Sequence, residues 1–188
     1  MKRLIHFLFE IGSLRKIVRA HRQSFLTDDL SDNIGSHSHR VSVIGYFLAK
    51  AEGVEVEKVL SMCVFHDAGK TRSGDQNWIH KRYVKVFEEE IMQDQLGGIT
   101  KDDSLFKTMQ EYDERESEES KIAKDADVLD QLLLVKEYIM QGNEEAKKWI
   151  REEKGGLLYS KTAKELFKEL LVTDPAEWWK DLWTEKRR

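Results

Sequence analysis

The scarcity of proline is the feature that most constrains how this chain folds. Pro175 is the only proline among 188 residues, and proline is the residue that α-helices tolerate least. Charged residues make up 35% of the chain and include long stretches rich in Glu and Lys. No segment shows the alternation of apolar and polar residues that is typical of strands. The sequence therefore predicts an all-α fold, a helical bundle followed by a C-terminal helical extension.

Apolar residues recur at helical spacing along most of the chain. The pattern predicts helices near residues 2–22, 36–53, 55–67, 79–96, 104–114 and 117–141, with three shorter helices beyond Gly142. We expect residues 1–142 to form the core and residues 143–188 to form the extension. The extension ends in an apolar cluster of Trp178, Trp179, Leu182 and Trp183. Two interpretations of this cluster are open, a lid packed on the bundle and a dimer interface.

Charge and hydropathy exclude several classes of function. The net charge is only −4, without a wide basic region, so we expect no nucleic-acid partner. No stretch approaches the ~20 apolar residues of a membrane span, and His6 and Glu10 interrupt the N-terminal apolar run, which no cleavage site follows. The single cysteine, Cys63, excludes an internal disulfide and fits a reducing compartment. We therefore expect a cytoplasmic protein without a membrane partner.

The adjacent pair His66-Asp67 is the strongest indication of chemistry in the chain. It follows an apolar run at the end of a predicted buried helix. His37 lies near the start of another helix, and Asp127 lies on the flank of the apolar stripe of a third, where a carboxylate needs a cation or several donors. Two imidazoles and two carboxylates are a suitable ligand set for one divalent cation. The sequence predicts that these four side chains converge on a metal ion.

Two neighbouring charged residues receive structural interpretations. Asp125 lies two positions before Asp127, about 160° away around the helix, so we expect it to be solvated. Arg40 follows His37 by three positions, and we expect it to pair with a carboxylate inside the bundle.

These residues, in this order and at these separations, resemble the H…HD…D signature of the HD-domain phosphohydrolase superfamily. The segment Ser36-His37-Ser38-His39-Arg40-Val41 resembles the family's E-H-S-x-R-V, and residues 64–75 resemble F-H-D-L-x-E-x-x-x-G-D. Residues 111–127 resemble E-Y-x…S-x-E…K-x-A-D. Together the segments are similar to the 5′-deoxynucleotidase branch, over about residues 15–140 of the chain.

The resemblance implies an HD-domain helical bundle, a homodimer and one divalent transition metal ion. Mn, Co, Fe, Ni and Zn all suit His and Asp ligands, and Mg is a further option. The implied reaction releases phosphate from (deoxy)nucleoside 5′-monophosphates, so the partner is a small-molecule nucleotide. The resemblance implies catalytic roles at the positions that Lys70 and Asp75 occupy, with Asp75 also contacting the sugar. Phosphate contacts are expected from Lys70, from Arg72, and from Arg19 or Arg22.

One position departs from the nucleotidase pattern. Lys70 occupies the place where that branch commonly has Glu, and lysine is a poor general base unless its pKa is lowered. The resulting H-D-x-G-K turn resembles the HD-GYP cyclic-dinucleotide phosphodiesterases, although their G-Y-P signature is absent from this sequence. Three hypotheses therefore stay open. They are a phosphomonoesterase, a phosphodiesterase or nucleoside-triphosphate hydrolase at the same site, and a metal-stabilised nucleotide-binding protein with little turnover.

Overall fold

The protein is built from α-helices, as predicted. The computed structural model describes residues 1–150 and 152–182. Within these residues no β-strand occurs beyond one isolated antiparallel bridge between Val18 and Asn33. No helix of the described residues combines the length and the apolar character that a membrane crossing requires.

The helices follow one another with short connections, and 3-10 turns occur at Gly12–Lys16, Glu152–Leu157 and Glu177–Leu182. Their bounds are α1 Lys2–Ile11, α2 Arg22–Phe25, α3 Ile34–Glu52, α4 Val56–Phe65, α5 Lys70–Ser73, α6 Trp78–Tyr83, α7 Glu88–Leu96, α8 Ser104–Glu114, α9 Glu118–Met140, α10 Glu144–Trp149 and α11 Lys161–Val172.

The core forms where α3, α4 and α9 pack against one another. Gly45 allows the close approach of α3 and α4, because a Cβ atom at this position would lie 2.5 Å from the Sγ atom of Cys63. Fully buried apolar side chains fill the centre, among them Val41, Leu48, Val59, Met62 and Ala126. This packing fixes the three helices that carry or adjoin the predicted metal ligands.

The predicted helix 2–22 is wrong in its second half. The α-helix ends at Ile11, and Gly12 begins a 3-10 turn. The Ser13 hydroxyl donates to the Glu10 carbonyl oxygen at 2.6 Å, a local bond that competes with helix continuation. Backbone bonds then tie the next residues to the segment before α3 instead, including Arg19 N–H to the Asp32 carbonyl oxygen at 3.0 Å. The predicted helix 79–96 is likewise divided into α6 and α7.

The C-terminal segment packs back onto α9, and it does so at Asp125. Our expectation that Asp125 is solvated is wrong, because this residue is fully buried. Its Oδ1 atom accepts the backbone N–H of Tyr159 at 2.7 Å, and its Oδ2 atom accepts that of Ser160 at 2.8 Å. Side chains from the segment join the main core at the same place, namely Leu158, Ala163, Phe167 and Leu170.

The aromatic end of the chain is only partly covered in the described residues. Trp178 is 76% exposed and Trp179 is 47% exposed. Trp178 lines an apolar groove together with Phe47 of α3 and Leu166 of α11. Trp183 lies outside the described residues.

Candidate metal centre and its cavities

The structure brings the four predicted ligands together. The Nε2 atoms of His37 and His66 lie 3.2 Å apart. Oδ2 of Asp67 is 3.5 Å from both of these nitrogens, and Oδ1 of Asp127 is 3.3 Å from His37 and 4.0 Å from His66. The side chains come from α3, from the end of α4 and its following turn, and from α9. Three helices that pack together in the core thus converge on one point.

These distances fit one divalent ion held by His37, His66 and Asp127, with Asp67 adjoining the two imidazoles. Ligand atoms about 2.1 Å from a common ion lie about 3.0 Å apart at right angles and about 3.4 Å apart in a tetrahedron. The observed distances run from 3.2 to 4.0 Å, and the longest of them corresponds to a wider ligand–ion–ligand angle. Two nitrogens and two carboxylate oxygens also match the donors that Mn, Fe, Co, Ni and Zn accept. The residues present therefore fit a metal ion.

Hydrogen bonds behind the two imidazoles direct both Nε2 atoms to the centre. Nδ1 of His66 donates to the carbonyl oxygen of Cys63 at 2.9 Å. Nδ1 of His37 lies 2.5 Å from Oδ2 of Asp130, which is fully buried. A carbonyl or a carboxylate on one ring nitrogen keeps the proton there and leaves the other nitrogen free to bind a metal. His66 is thus held in the tautomer that a ligand requires. Asp130 favours the same tautomer at His37, where NH1 of Arg19 also lies 2.9 Å from Nδ1.

The charges of the centre favour ionised carboxylates and a neutral His66. Burial disfavours the charged form of Asp127, but the hydrogen bond to His37 and the charge of Lys124 hold its pKa well below the ordinary value. The pKa of Asp67 is also lowered against burial, by His66 and Lys70. Burial lowers the pKa of His66. Burial lowers the pKa of His37, but hydrogen bonds to Asp127 and Asp130 raise it overall. The ionised carboxylates and the neutral His66 are thus in the states that a metal needs, whereas His37 releases its extra proton when a metal binds.

Lys70 is held as a cation between two carboxylates. Its Nζ atom is 2.8 Å from Oδ2 of Asp67 and 2.7 Å from Oδ1 of Asp75. Burial opposes the charge of Lys70, but the two carboxylates raise its pKa above the ordinary value. The other oxygen of Asp75 accepts the backbone N–H of Ala20 at 2.6 Å. Lys70 and Asp75 therefore form one unit beside the candidate ligands.

Two cavities meet at the centre, with volumes of about 250 and 290 Å³. The first lies towards α7 and α8, where Tyr112 and Arg115 line it, and the second contains Arg19 and Asp75. Three residues line both cavities in the described part of the chain, and they are Lys70, Lys124 and Asp127. A ligand at the centre therefore has space on either side.

The structure distinguishes among the arginines that the sequence offered. Arg19 is buried, lines the second cavity and donates to Oδ2 of Asp130 at 3.0 Å. Arg22 instead reaches Asp28, and Arg72 pairs with Glu10 at 2.7 Å and with Asp94. Arg22 and Arg72 line neither cavity. The geometry thus brings Arg19 to the centre and gives no support to substrate contacts by Arg22 and Arg72.

Two residues at the centre were given no role by the sequence reasoning, although one of them, Lys124, is the lysine of the K-x-A-D segment. Asp130 orients His37, and Lys124 lies 2.7 Å from Oδ2 of Asp127. Both are three positions from Asp127 along α9, the spacing that places side chains on one face of a helix. That spacing was the available signal. Arg40 pairs with Asp130 at 2.5 Å and with Glu137, in agreement with the expected carboxylate partner.

Comparison with known proteins assigns the family. A sequence profile of the HD domain matches residues 11–170, which is most of the chain. The chain belongs to the HD-domain superfamily of metal-dependent phosphohydrolases, and the predicted resemblance is confirmed at this level.

Relatives of known name and structure agree with this assignment. The chain is similar to the 5′-deoxynucleotidase HDDC2 of Dictyostelium discoideum, with 26% identity over 126 residues; the match covers 60% of this chain and 66% of that relative's length. A conserved hypothetical protein from Pyrococcus furiosus has 24% identity and a TM-score of 0.76, over 90% of this chain and 99% of its own. A predicted metal-dependent phosphohydrolase from Magnetospirillum magnetotacticum has 23% identity and a TM-score of 0.67, over 90% of each chain. The two structural likenesses establish the fold.

Proposed function

We propose that the protein is a phosphomonoesterase that releases phosphate from nucleoside 5′-monophosphates, with deoxynucleotides as the leading substrates. The proposal depends on one observation above all. The donor atoms of His37, His66 and Asp127 lie within 4.8 Å of one another, Asp67 adjoins them, and a lysine cation lies beside each carboxylate. A divalent ion held there supplies charge neutralisation at the phosphoryl group and a water nucleophile of lowered pKa. The similarity to a named 5′-deoxynucleotidase supports the substrate class.

The chain's own residues have distinct roles in this proposal. Lys70 carries a proton and a positive charge, so it stabilises phosphoryl oxygens and is not the base that accepts a proton from water. Asp75 holds Lys70 in place through one oxygen and the Ala20 backbone through the other. Asp75 also lines the second cavity, and we expect its remaining lone pairs to accept a hydrogen bond from a sugar hydroxyl there. Arg19 adds a buried positive charge to the same cavity.

A phosphodiesterase is the second candidate, and the paired cavities favour it. A monoester places an organic group on one side of the phosphorus, whereas a diester places one on each side. Two cavities of similar volume that meet at the candidate ligands give room for both groups. Lys70 also suits this reaction, because a cation stabilises either leaving oxygen.

An assay that measures orthophosphate and also separates the nucleotide and nucleoside products by chromatography distinguishes these candidates. The chelator-treated protein is supplied with Mn²⁺, Co²⁺, Mg²⁺ or Zn²⁺ and offered deoxy- and ribonucleoside monophosphates, a dinucleotide diester and nucleoside triphosphates. We expect orthophosphate from the deoxynucleoside monophosphates. Hydrolysis of diesters alone would favour the second candidate. Binding of metal without turnover of any substrate would contradict both and favour a nucleotide-binding protein.

Matched variants identify the source of any activity. Asp127→Asn removes a carboxylate of the candidate ligand set and should abolish turnover. Asp28→Asn makes the same chemical change at a fully exposed position and should leave turnover unchanged. Equal activity in both variants would show that the hydrolysis comes from another site or from a contaminant.

The homodimer, the cytoplasmic location and the domain boundary at residue 142 stay predictions. Light scattering on the purified chain measures the dimer directly.

A further inference from the structure

Lys124 lies against the candidate ligand Asp127, although the sequence alone assigned it no role. Its Nζ atom lies 2.7 Å from Oδ2 of Asp127, and Nζ of Lys70 lies 2.8 Å from Oδ2 of Asp67. Each candidate ligand carboxylate therefore carries one lysine, three positions away in the sequence. Both lysines line both cavities and are partly exposed, so each ammonium group is accessible to a ligand there.

We propose that Lys124 and Lys70 form a two-lysine anion site that binds the phosphoryl group of the substrate. The proposal rests on the phosphohydrolase function proposed above. It locates the phosphorus at the junction of the two cavities, between the lysines. The reacting group is then held at a single place, whichever cavity receives the rest of the substrate.

Stability alone does not explain the position of Lys124. Lys121 makes an ion pair of the same i,i+3 spacing with Glu118, at 2.8 Å, one turn earlier on α9. Exposed pairs of this kind contribute little to helix stability. Lys121 lines neither cavity, and Glu118 is 71% exposed, whereas Asp127 is only 20% exposed. Lys121 and Lys124 thus form ion pairs of the same spacing, but only Lys124 lines the cavities.

The balance of charges at the centre is the second reason to place an anion between Lys70 and Lys124. Asp67, Asp75 and Asp127 face Lys70 and Lys124, so these five groups together carry one negative charge in excess. A divalent ion at the ligands reverses the sign of this excess. Two ammonium groups beside a divalent ion repel it unless an anion lies between them. A phosphate dianion satisfies the three positive groups together, and the flexible lysine side chain lets Nζ turn from Asp127 to the anion.

Binding of inorganic phosphate to the Mn²⁺-loaded protein tests the proposal without requiring turnover. We expect Lys124→Gln to weaken phosphate binding by about tenfold or more, because a hydrogen bond to a charged group is lost. Lys121→Gln is the matched control and should bind phosphate as the wild type does. Lys124→Arg keeps the charge and should weaken binding less than Lys124→Gln. In turnover assays Lys124→Gln should raise KM more than it lowers kcat.

The Mn²⁺ affinity of each variant is measured in parallel. Unchanged phosphate binding in Lys124→Gln, or an equal loss in Lys121→Gln, would overturn the proposal. A loss of Mn²⁺ affinity that accounts for the whole effect would also overturn it, because Lys124 would then act only by positioning Asp127. Phosphate binding that depends on Lys124 in a protein that hydrolyses no nucleotide would support the anion site and contradict the proposed function.

Discussion

Asp130 offers the sharpest test of how the candidate metal centre is built. Its two carboxylate oxygens receive three donors from His37, Arg19 and Arg40, at 2.5, 3.0 and 2.5 Å. The residue is 1% exposed, so water does not substitute for these contacts. In Asp130→Asn the amide has one acceptor oxygen and a donating NH₂ group, and at least one of the three donors loses its partner. The variant keeps the shape of the side chain and removes its charge.

The size of the effect follows from these contacts. Outer hydrogen bonds to a metal-bound histidine typically contribute 10–100-fold to metal affinity, so we expect Asp130→Asn to weaken Mn²⁺ binding by about this factor. The free energy of unfolding should fall by about 3 kcal/mol, because a buried ion pair loses one partner. Glu137→Gln is the control, since it removes the charge of the other partner of Arg40 and leaves the contact between Asp130 and His37 in place.

Calorimetric titration with Mn²⁺ gives the affinity, and nitrogen NMR of the imidazoles reports which ring nitrogen carries the proton. In the wild type we expect His37 to carry it on Nδ1, and in Asp130→Asn we expect this preference to weaken. A folded Asp130→Asn protein with wild-type Mn²⁺ affinity and an unchanged His37 tautomer would refute the reasoning. An equal loss of affinity in Glu137→Gln would refute it as well, because the effect would then come from Arg40.

Three further predictions concern single carboxylates. Asp127→Ala should abolish tight Mn²⁺ binding in calorimetry, and retained affinity would show that this carboxylate is not a ligand. Asp125→Ala should lower the free energy of unfolding in urea by about 2–4 kcal/mol, because two backbone N–H groups lose a charged acceptor; a change below about 0.5 kcal/mol would contradict the described packing. Hydrogen bonding to Arg72 lowers the pKa of Glu10 from 4.5 to about 2, so its stabilisation is complete above pH 4.5 and is lost as the pH falls towards 2. Discounted for solvent screening, it is about 1 kcal/mol at pH 7, and the stabilities of wild type and Glu10→Gln should converge at low pH.

The candidate ligand set was predicted from local signals together with the resemblance to the H…HD…D signature. His66 and Asp67 end an apolar run, and Asp127 lies beside an apolar stripe, so each position violates the ordinary burial pattern in a way that a metal explains. The all-α fold was equally accessible from proline scarcity and helical periodicity. Neither inference required knowledge of which helices touch.

The remaining features depend on contacts between distant parts of the chain. The burial of Asp125 comes from a segment 34 residues later, which helical periodicity does not encode. Arg19 reaches the centre and Arg22 does not because α1 ends at Ile11 and the bridge between Val18 and Asn33 sets the path of the segment between them. The partner of Asp130 lies 93 residues away in α3. Such pairings follow from tertiary packing and not from any local pattern.

The opposite faces of α9 are both anchored, and this limits how the helix tolerates changes in length. Asp127 faces the two imidazoles, while Asp125 holds the backbone of Tyr159 and Ser160 on the other side. Inserting or deleting one residue between the start of α9 and Asp125 would turn everything after it by about 100° about the helix axis. Both carboxylates would then leave their partners at once. The rotational setting of α9 is therefore fixed from two sides, and only substitutions that preserve its register keep both attachments.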